Sequence, residues 1–354
     1  MSAKHLGFLN FGHWIHRRSV DGHRAEPDAK AALDDVVQMA VDAEAVGLDG
    51  AWIRIHHFQQ MFSSAFPLLA AMAARTERIH LGTGVIDLRY ENPLAMAEAA
   101  ATTDLLSGGR LQLGISRGSP EAAKDGQAQF GYELAEGQSW SGLAWERGRR
   151  FMEGISGAGL ATPDLSSGWA HSSQPLRIEP HSPTLAQRIW WGAGTTPTAI
   201  TAGTAGYNLV SSTLLLQDDG RPFHVQQADQ LRRYREAYTA AGNDDGTSSL
   251  GATGPAQTAV TRSVYVIQDA EDEAYFGHER VSRESSGVLD GARAVSGPTY
   301  AGSAEEVAEK LAADEAVQEA DWVLIANPNQ LRTEFNAKLF RGWAEAWRLL
   351  GWSA

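Results

Sequence analysis

Along this chain the apolar positions switch repeatedly between two arrangements. Short unbroken runs alternate with longer stretches in which they return every third or fourth residue. The short runs predict strands near residues 8, 53, 82, 113, 191, 209, 264 and 324. The longer stretches predict helices. One spans 28–46, where Leu33, Val36, Val37, Ala40, Val41 and Ala45 share a face and Gly47 follows. Others span 67–75, 93–106, 140–155, 197–205, 225–241, 270–283 and 331–350. Pro93 just inside one start and Gly108-Gly109 just past its end are the expected helix punctuation. Ser303-Ala-Glu-Glu306 reads as a capping box opening a helix through Ala313. Two segments break the alternation. Residues 156–187, rich in Ser, Gly, Pro and His, read as an irregular insertion, and the Gly/Ser-rich 285–298 as mobile.

Short strands apolar on both faces, almost every one followed by an amphipathic helix, imply a parallel sheet covered by helices. Eight such units without a boundary between them point to a single domain over 1–354. The expected architecture is α/β, an eight-stranded parallel βα (TIM) barrel, with insertions explaining the excess over about 250 residues. An open doubly wound sheet is the structural alternative. In either fold the chemistry belongs at the carboxyl ends of the strands.

Composition narrows the function classes. The chain has 354 residues, 43% of them hydrophobic and 21% charged, as in globular domains with ample core. A formal net charge of −13, with no basic run to offset it, argues against a nucleic-acid partner. The absence of Cys excludes disulfides, thiolate metal sites and Cys nucleophiles. No apolar run approaches the roughly 18 residues of a membrane span. Met1-Ser-Ala-Lys-His5 leads into a strand without a signal-peptide core, so a cytoplasmic location is expected.

The strand ends gather the candidate chemistry. The first supplies Asn10, His13 and Trp14, the second His56-His57-Phe58, the third Thr83-Gly84-Val85 and Asp87. The fourth delivers Ser116-Arg117-Gly118, a cation on a glycine-flanked turn. The fifth, Gly192-Ala-Gly-Thr-Thr-Pro-Thr198, combines close backbone approach, hydroxyls and a helix start, which suits an anion. With the Arg117 fork it makes a phosphate cradle. Adjacent strand residues point to opposite faces, so His56 and His57 do not share a metal, and no metal site is expected. One of the two faces the mouth and the other is structural. Gly114-Ile-Ser-Arg-Gly118 also matches a hydrolase nucleophile elbow, but no early oxyanion loop or suitably placed later His accompanies it.

These residues resemble a known family. Ala43-Glu-Ala-Val-Gly-Leu-Asp-Gly-Ala-Trp52 leads to His56-His57-Phe58. Then come Arg78-Ile-His-Leu-Gly-Thr-Gly-Val85, Asn92-Pro93, Asp104-Leu-Leu-Ser-Gly-Gly-Arg110 and Gly114–Gly118. Arg188-Ile-Trp-Trp-Gly-Ala-Gly194, Ala205-Gly-Tyr207 and Gly302-Ser-Ala-Glu-Glu-Val-Ala-Glu-Lys-Leu311 complete the series. In order and spacing the chain is similar to the bacterial-luciferase-like flavin-dependent monooxygenases. The resemblance implies a luciferase-like barrel that takes reduced FMN as co-substrate from a separate NAD(P)H-dependent flavin reductase. With oxygen it would oxygenate a small organic substrate, as a homodimer, without light emission being implied.

It further implies that Arg117 binds the FMN phosphate, with Thr195 and Thr198 as hydroxyl partners and the backbones of Gly118, Ser119 and Gly194 close by. His56 and Ser116 become the catalytic residues, Ser116 beside the reactive face of the ring. Gly84–Val85 becomes a non-prolyl cis peptide beneath it, and 285–298 becomes the family's mobile lid. Two positions depart from the family pattern. Ile55 stands where an acidic residue usually precedes the His pair, which leaves His56 without its carboxylate, and Asp87 adds a polar group near the substrate. Two other readings keep the fold: a deazaflavin-dependent hydride-transfer oxidoreductase, and a non-catalytic flavin-binding protein.

Overall fold

In the computed structural model, which describes residues 4–14, 28–118, 121–245, 254–289, 291–328, 331 and 333–352, the eight expected runs form a closed ring. The strands are β1 (His5–Asn10), β2 (Gly50–Ile53), β3 (His80–Thr83), β4 (Leu111–Ser116), β5 (Ile189–Gly192), β6 (Asn208–Ser211), β7 (Thr258–Val266) and β8 (Trp322–Asn327). Each pairs in parallel with the next in sequence, and β8 closes on β1 with His5 opposite Trp322 and Asn10 opposite Asn327. Closure excludes the open doubly wound alternative. It also leaves the barrel without a sheet edge.

Side chains fill the ring. Trp52, Trp190 and Trp322, each at most 2% exposed, meet toward the amino-terminal ends of the strands. Trp52 and Trp190 contact edge to face at 5.5 Å between centroids. The Trp190 indole N–H donates to Gln112 Oε1 at 2.8 Å, so the polar edge of that ring is satisfied inside the barrel. Outside the ring, helices Ala29–Ala45, Pro93–Leu106, Thr196–Thr204 and Phe223–Ala240 bury apolar faces against the strands. The helix Ala304–Ala313 opens with the predicted capping box between Ser303 and Glu306. No described helix is long and apolar enough to cross a membrane.

Two expectations change. The helix expected over 270–283 stops at Phe276 and continues as a 3-10 turn over Gly277–Val281. The segment expected to be mobile and without regular structure carries a β-hairpin, Ser285–Leu289 against Ala292–Ser296, which in turn pairs with Leu214–Leu215 after β6. Gly291, just before the second strand, has φ +74°, and in sequence it follows an Asp, a pairing favoured in tight hairpins. Its Ser and Gly content masked that signal. Residues 156–187 hold little regular structure beyond short 3-10 turns at Leu165–Ser167 and Leu185–Arg188, and they are tied to the barrel. Ser182 Oγ donates to Asp104 Oδ2 at 2.6 Å, and the Arg188 guanidinium bonds both oxygens of the same buried carboxylate at 2.7 and 2.9 Å.

Candidate active site

The carboxyl ends of the strands surround a cavity of about 280 Å³. Leu9, Val85, Val210, Leu216 and Leu289 make its walls apolar, the last contributed by the hairpin. Arg54, Ser116, Arg117, Gly118 and Gly194 give it polar character at the ends of β2, β4 and β5. Beneath it the chain turns sharply. Gly84–Val85 is a cis peptide, as the resemblance implied. Thr83 Oγ1 donates to Gly114 O at 2.7 Å and accepts from Gly114 N–H at 3.0 Å, stitching β3 to β4 just before that junction. A Cβ at Gly114 would lie 3.0 Å from Val85 Cγ1, and one at Gly192 3.1 Å from it. Glycines at both positions therefore leave room for Val85 in the floor.

Arg117 leads the tip that follows β4. Gly118 turns the chain with φ +79°, and its N–H donates to Ser116 Oγ at 2.8 Å. Ser116 is 7% exposed and lines the cavity, and no imidazole bonds its hydroxyl among the described residues. A hydrolase elbow requires that bond, so the nucleophile reading fails. Ser119, expected to lend its backbone, lies outside the described residues.

The fifth strand end differs in detail from the expectation. Thr195 caps helix Thr196–Thr204, and its hydroxyl bonds that of Thr198 at 2.9 Å. Thr196 N–H donates to Gln217 Oε1 at 2.8 Å, and Thr198 N–H to Thr195 Oγ1 at 3.4 Å. Two donors assigned to an anion thus already serve the protein. Gly194 joins Arg117 in the cavity wall, whereas Thr195 and Thr198 stand behind it. A second cavity, of about 600 Å³, opens beyond Gly194. Its arginines are matched by acids: Arg221 with Asp219, Arg233 with Asp229, Arg293 with Asp218.

The two histidines lie past the end of β2, in the turn that follows it, and neither lines the cavity, although one was expected to face the mouth. His57 stacks on Tyr90 at 4.1 Å between centroids and meets Phe130 edge-on, and burial lowers its pKa. Its Nε2 has no hydrogen-bond partner among the described residues. His56 is bonded on both sides. Arg54 Nε–H donates to His56 Nε2 at 2.6 Å, and His56 Nδ1 lies 2.9 Å from Glu121 Oε1. An Nε2 that accepts leaves the proton on Nδ1, which donates to the carboxylate. Gln59 Nε2 donates to Glu121 Oε2 at 2.6 Å. Burial disfavours the Glu121 charge, but the hydrogen bonds from His56 and Gln59 outweigh it and hold the carboxyl below its ordinary value. The carboxylate that Ile55 fails to supply therefore comes from Glu121, after β4. Spacing along one strand could not reveal a partner brought by another loop.

Asp87 is not a substrate-facing group. It is 2% exposed and holds Arg89 through both oxygens, with Arg89 Nη2 at 2.6 Å. Burial raises its pKa against the pull of Arg89. Nearby Glu91 is pushed up to about 7 by burial and then by the charge of Asp87, against the pull of Arg147. A folded-state value above the unfolded 4.5 means that folding favours protonated Glu91. Its contribution is complete below that value and is lost as pH rises toward 7. Glu91→Gln is accordingly expected to be about 1–2 kcal/mol more stable than the parent at pH 8, and no more stable at acid pH. Urea unfolding at the two pH values checks this; a pH-independent difference would contradict it.

Residues 10–342 match the family described as luciferase-like monooxygenase. The chain belongs to that family. Among luciferase-like relatives, the oxygenase component of flavin-dependent trigonelline monooxygenase from Acinetobacter baylyi is 29% identical over 150 residues, 42% of this chain and 38% of that protein. An F420-dependent glucose-6-phosphate dehydrogenase from Amycolatopsis mediterranei is 41% identical over 91 residues, 24% of this chain and 27% of that protein. These alignments thus span well under half of either relative. In fold, the chain is similar to the oxygenating constituent of 3,6-diketocamphane monooxygenase from Pseudomonas putida, solved in complex with FMN. That similarity has TM-score 0.63 at 16% identity and covers 98% of this chain and 96% of the other. The family membership and the closed barrel agree with the resemblance read from the sequence.

Proposed function

We propose that this luciferase-like barrel is an FMN-dependent monooxygenase of a small organic substrate, working with a separate NAD(P)H-dependent flavin reductase. The observation that carries the reading is the cavity itself: an apolar, glycine-floored slot with Arg117 at its rim, at the carboxyl end of a closed barrel. The residues present fit a flavin mononucleotide. A planar apolar ring suits the Val85 floor between Leu9, Val210 and Leu289, and a phosphate suits the Arg117 fork beside the Gly118 and Gly194 backbones. When bound, reduced FMN supplies the electrons that activate oxygen.

The chain's own work is then to bind, orient and keep water away. Arg117 anchors the phosphate, and Thr195 and Thr198 support that end of the site from the helix start. Ser116, its hydroxyl fixed by Gly118 N–H, shapes one face of the slot. His56 orders the wall at the end of β2. The hairpin closes the slot from above through Leu289, as a lid would. Two copies of the chain make the working assembly in this proposal.

A deazaflavin-dependent hydride transfer is the second reading, favoured by the 41% identity to an F420-dependent dehydrogenase. Titration of the purified protein with oxidised FMN, reduced FMN and reduced deazaflavin separates the two. The first reading expects saturable binding of reduced FMN and substrate-dependent oxygen uptake. Tight binding of the deazaflavin alone, without oxygen uptake, replaces it with the second.

A further inference from the structure

We infer that Arg54 is a second ligand-binding cation of the cavity, complementing the negative charge of a reduced flavin, and that Glu121, Gln59 and His56 form the positioning chain that holds it. The inference rests on the flavin reading above and adds a residue and a redox preference to it. It moves the ligand contact at the end of β2 from His56 to Arg54.

Position comes first. Arg54 lines the cavity, whereas His56, 7% exposed, stands behind it and does not. The guanidinium is constrained on two sides. Its carbon lies 5.2 Å from the centre of the Phe11 ring, and its Nε–H is committed to His56 Nε2 at 2.6 Å. His56 is in turn fixed by Glu121 at 2.9 Å, and Glu121 by Gln59 at 2.6 Å. The side chains of His56 and Glu121 are 9% and 3% exposed, so this chain of bonds is largely shielded from water. A long, rotamer-rich arginine is thereby delivered to the cavity wall already oriented, which lowers the entropic cost of ligand binding.

Charge comes second. The whole chain carries a net charge of −13, yet among the described residues the cavity lining contains two arginines and no carboxylate. Glu121, which bonds the His56 imidazole and Gln59, also acts on Arg54 from behind the wall, and Asp87 holds Arg89. The other titratable groups facing His56 and Arg54 are His13 and His57, whose pKa values burial lowers, favouring their neutral forms. Burial also lowers that of Arg54, although an arginine remains charged at any working pH. The wall is therefore positive at two places. A phosphate accounts for Arg117. The second negative charge of the ligand belongs to the ring, because a reduced isoalloxazine readily loses a ring proton whereas the oxidised ring is neutral. Arg54 then makes the site prefer reduced over oxidised flavin, as a protein supplied by a separate reductase requires.

The test measures oxidised and, anaerobically, reduced FMN affinity in the parent protein, Arg54→Gln, Arg54→Lys and Glu121→Gln, with thermal melting as the check on folding. The parent is expected to bind reduced FMN more tightly. Arg54→Gln should weaken reduced FMN about tenfold or more while changing oxidised FMN by less than about threefold. Arg54→Lys should recover part of the preference. Glu121→Gln should move reduced-state affinity in the same direction by a smaller factor. Should Arg54→Gln fail to fold, the Lys and Glu121 variants carry the same comparison. Equal changes in both redox states, or none, overturn the inference while leaving the flavin reading standing. So does an unchanged preference accompanied by a raised KM for an acidic substrate, which would assign Arg54 to the substrate. A parent protein that binds neither state of FMN overturns the flavin reading itself, and the inference with it.

Discussion

Replacing Arg117 by alanine is expected to weaken FMN binding by about a hundredfold, equally in the oxidised and reduced states. The equality distinguishes it from Arg54, because the phosphate has the same charge in both. Arg117 stands at the cavity rim, where a phosphate dianion would meet a fork of donors that no other lining side chain on that side offers. Arg117→Lys keeps the charge but not the planar fork, so it should recover only part of the affinity. Because the group is half-exposed, the loss should shrink as salt is raised. Equilibrium titration at low and high ionic strength checks both points. Unchanged affinity in the alanine variant would remove Arg117 from the phosphate site and require another anchor.

Gly118→Ala is expected to lower stability by about 2–4 kcal/mol and to abolish FMN binding with it. Two independent costs add. The residue has φ +79°, a conformation unfavourable for any side chain. The new Cβ would also lie 2.1 Å from Asp87 Oδ2. That carboxylate cannot step aside, because it is itself buried and Arg89 grips both its oxygens. Relief must come from the turn, and the turn carries Arg117. The double variant Gly118→Ala/Asp87→Ala should accordingly be less destabilised than the two single changes added together. Urea unfolding of the four proteins measures the coupling. A single variant within about 0.5 kcal/mol of the parent would show that the turn accommodates the methyl group.

Much of the architecture was legible because it follows from local chemistry. All eight strands were visible as short apolar runs, and the helices Pro93–Leu106 and Trp140–Ile155 agree with the expectation residue for residue. Proline, glycine and capping signals act within a turn or two, so the sequence displays them directly. The placement of Arg117 and Ser116 at a strand end was legible for the same reason, whereas the cis Gly84–Val85 junction came only from the family resemblance.

What escaped depends on which loops meet in space. Glu121 is 65 positions from His56, and nothing in either neighbourhood announces the pairing. Arg54 lies just past the end of β2, where strand alternation no longer says which side chain lines the cavity. Asp87, expected near the substrate, is withdrawn by an arginine two residues on. The hairpin over 285–296 was hidden by a composition that reads as loop, while its turn pair was in plain view.

The tryptophan cluster at the base of the barrel has a kinetic consequence. With Trp52, Trp190 and Trp322 filling the ring toward the amino-terminal ends of the strands, the cavity above Val85 is closed on that side, and Leu289 of the hairpin is part of its wall. A molecule that reaches the floor therefore does not leave through the base of the barrel. Where two ligands share such a chamber, the one on the floor is expected to arrive first and depart last.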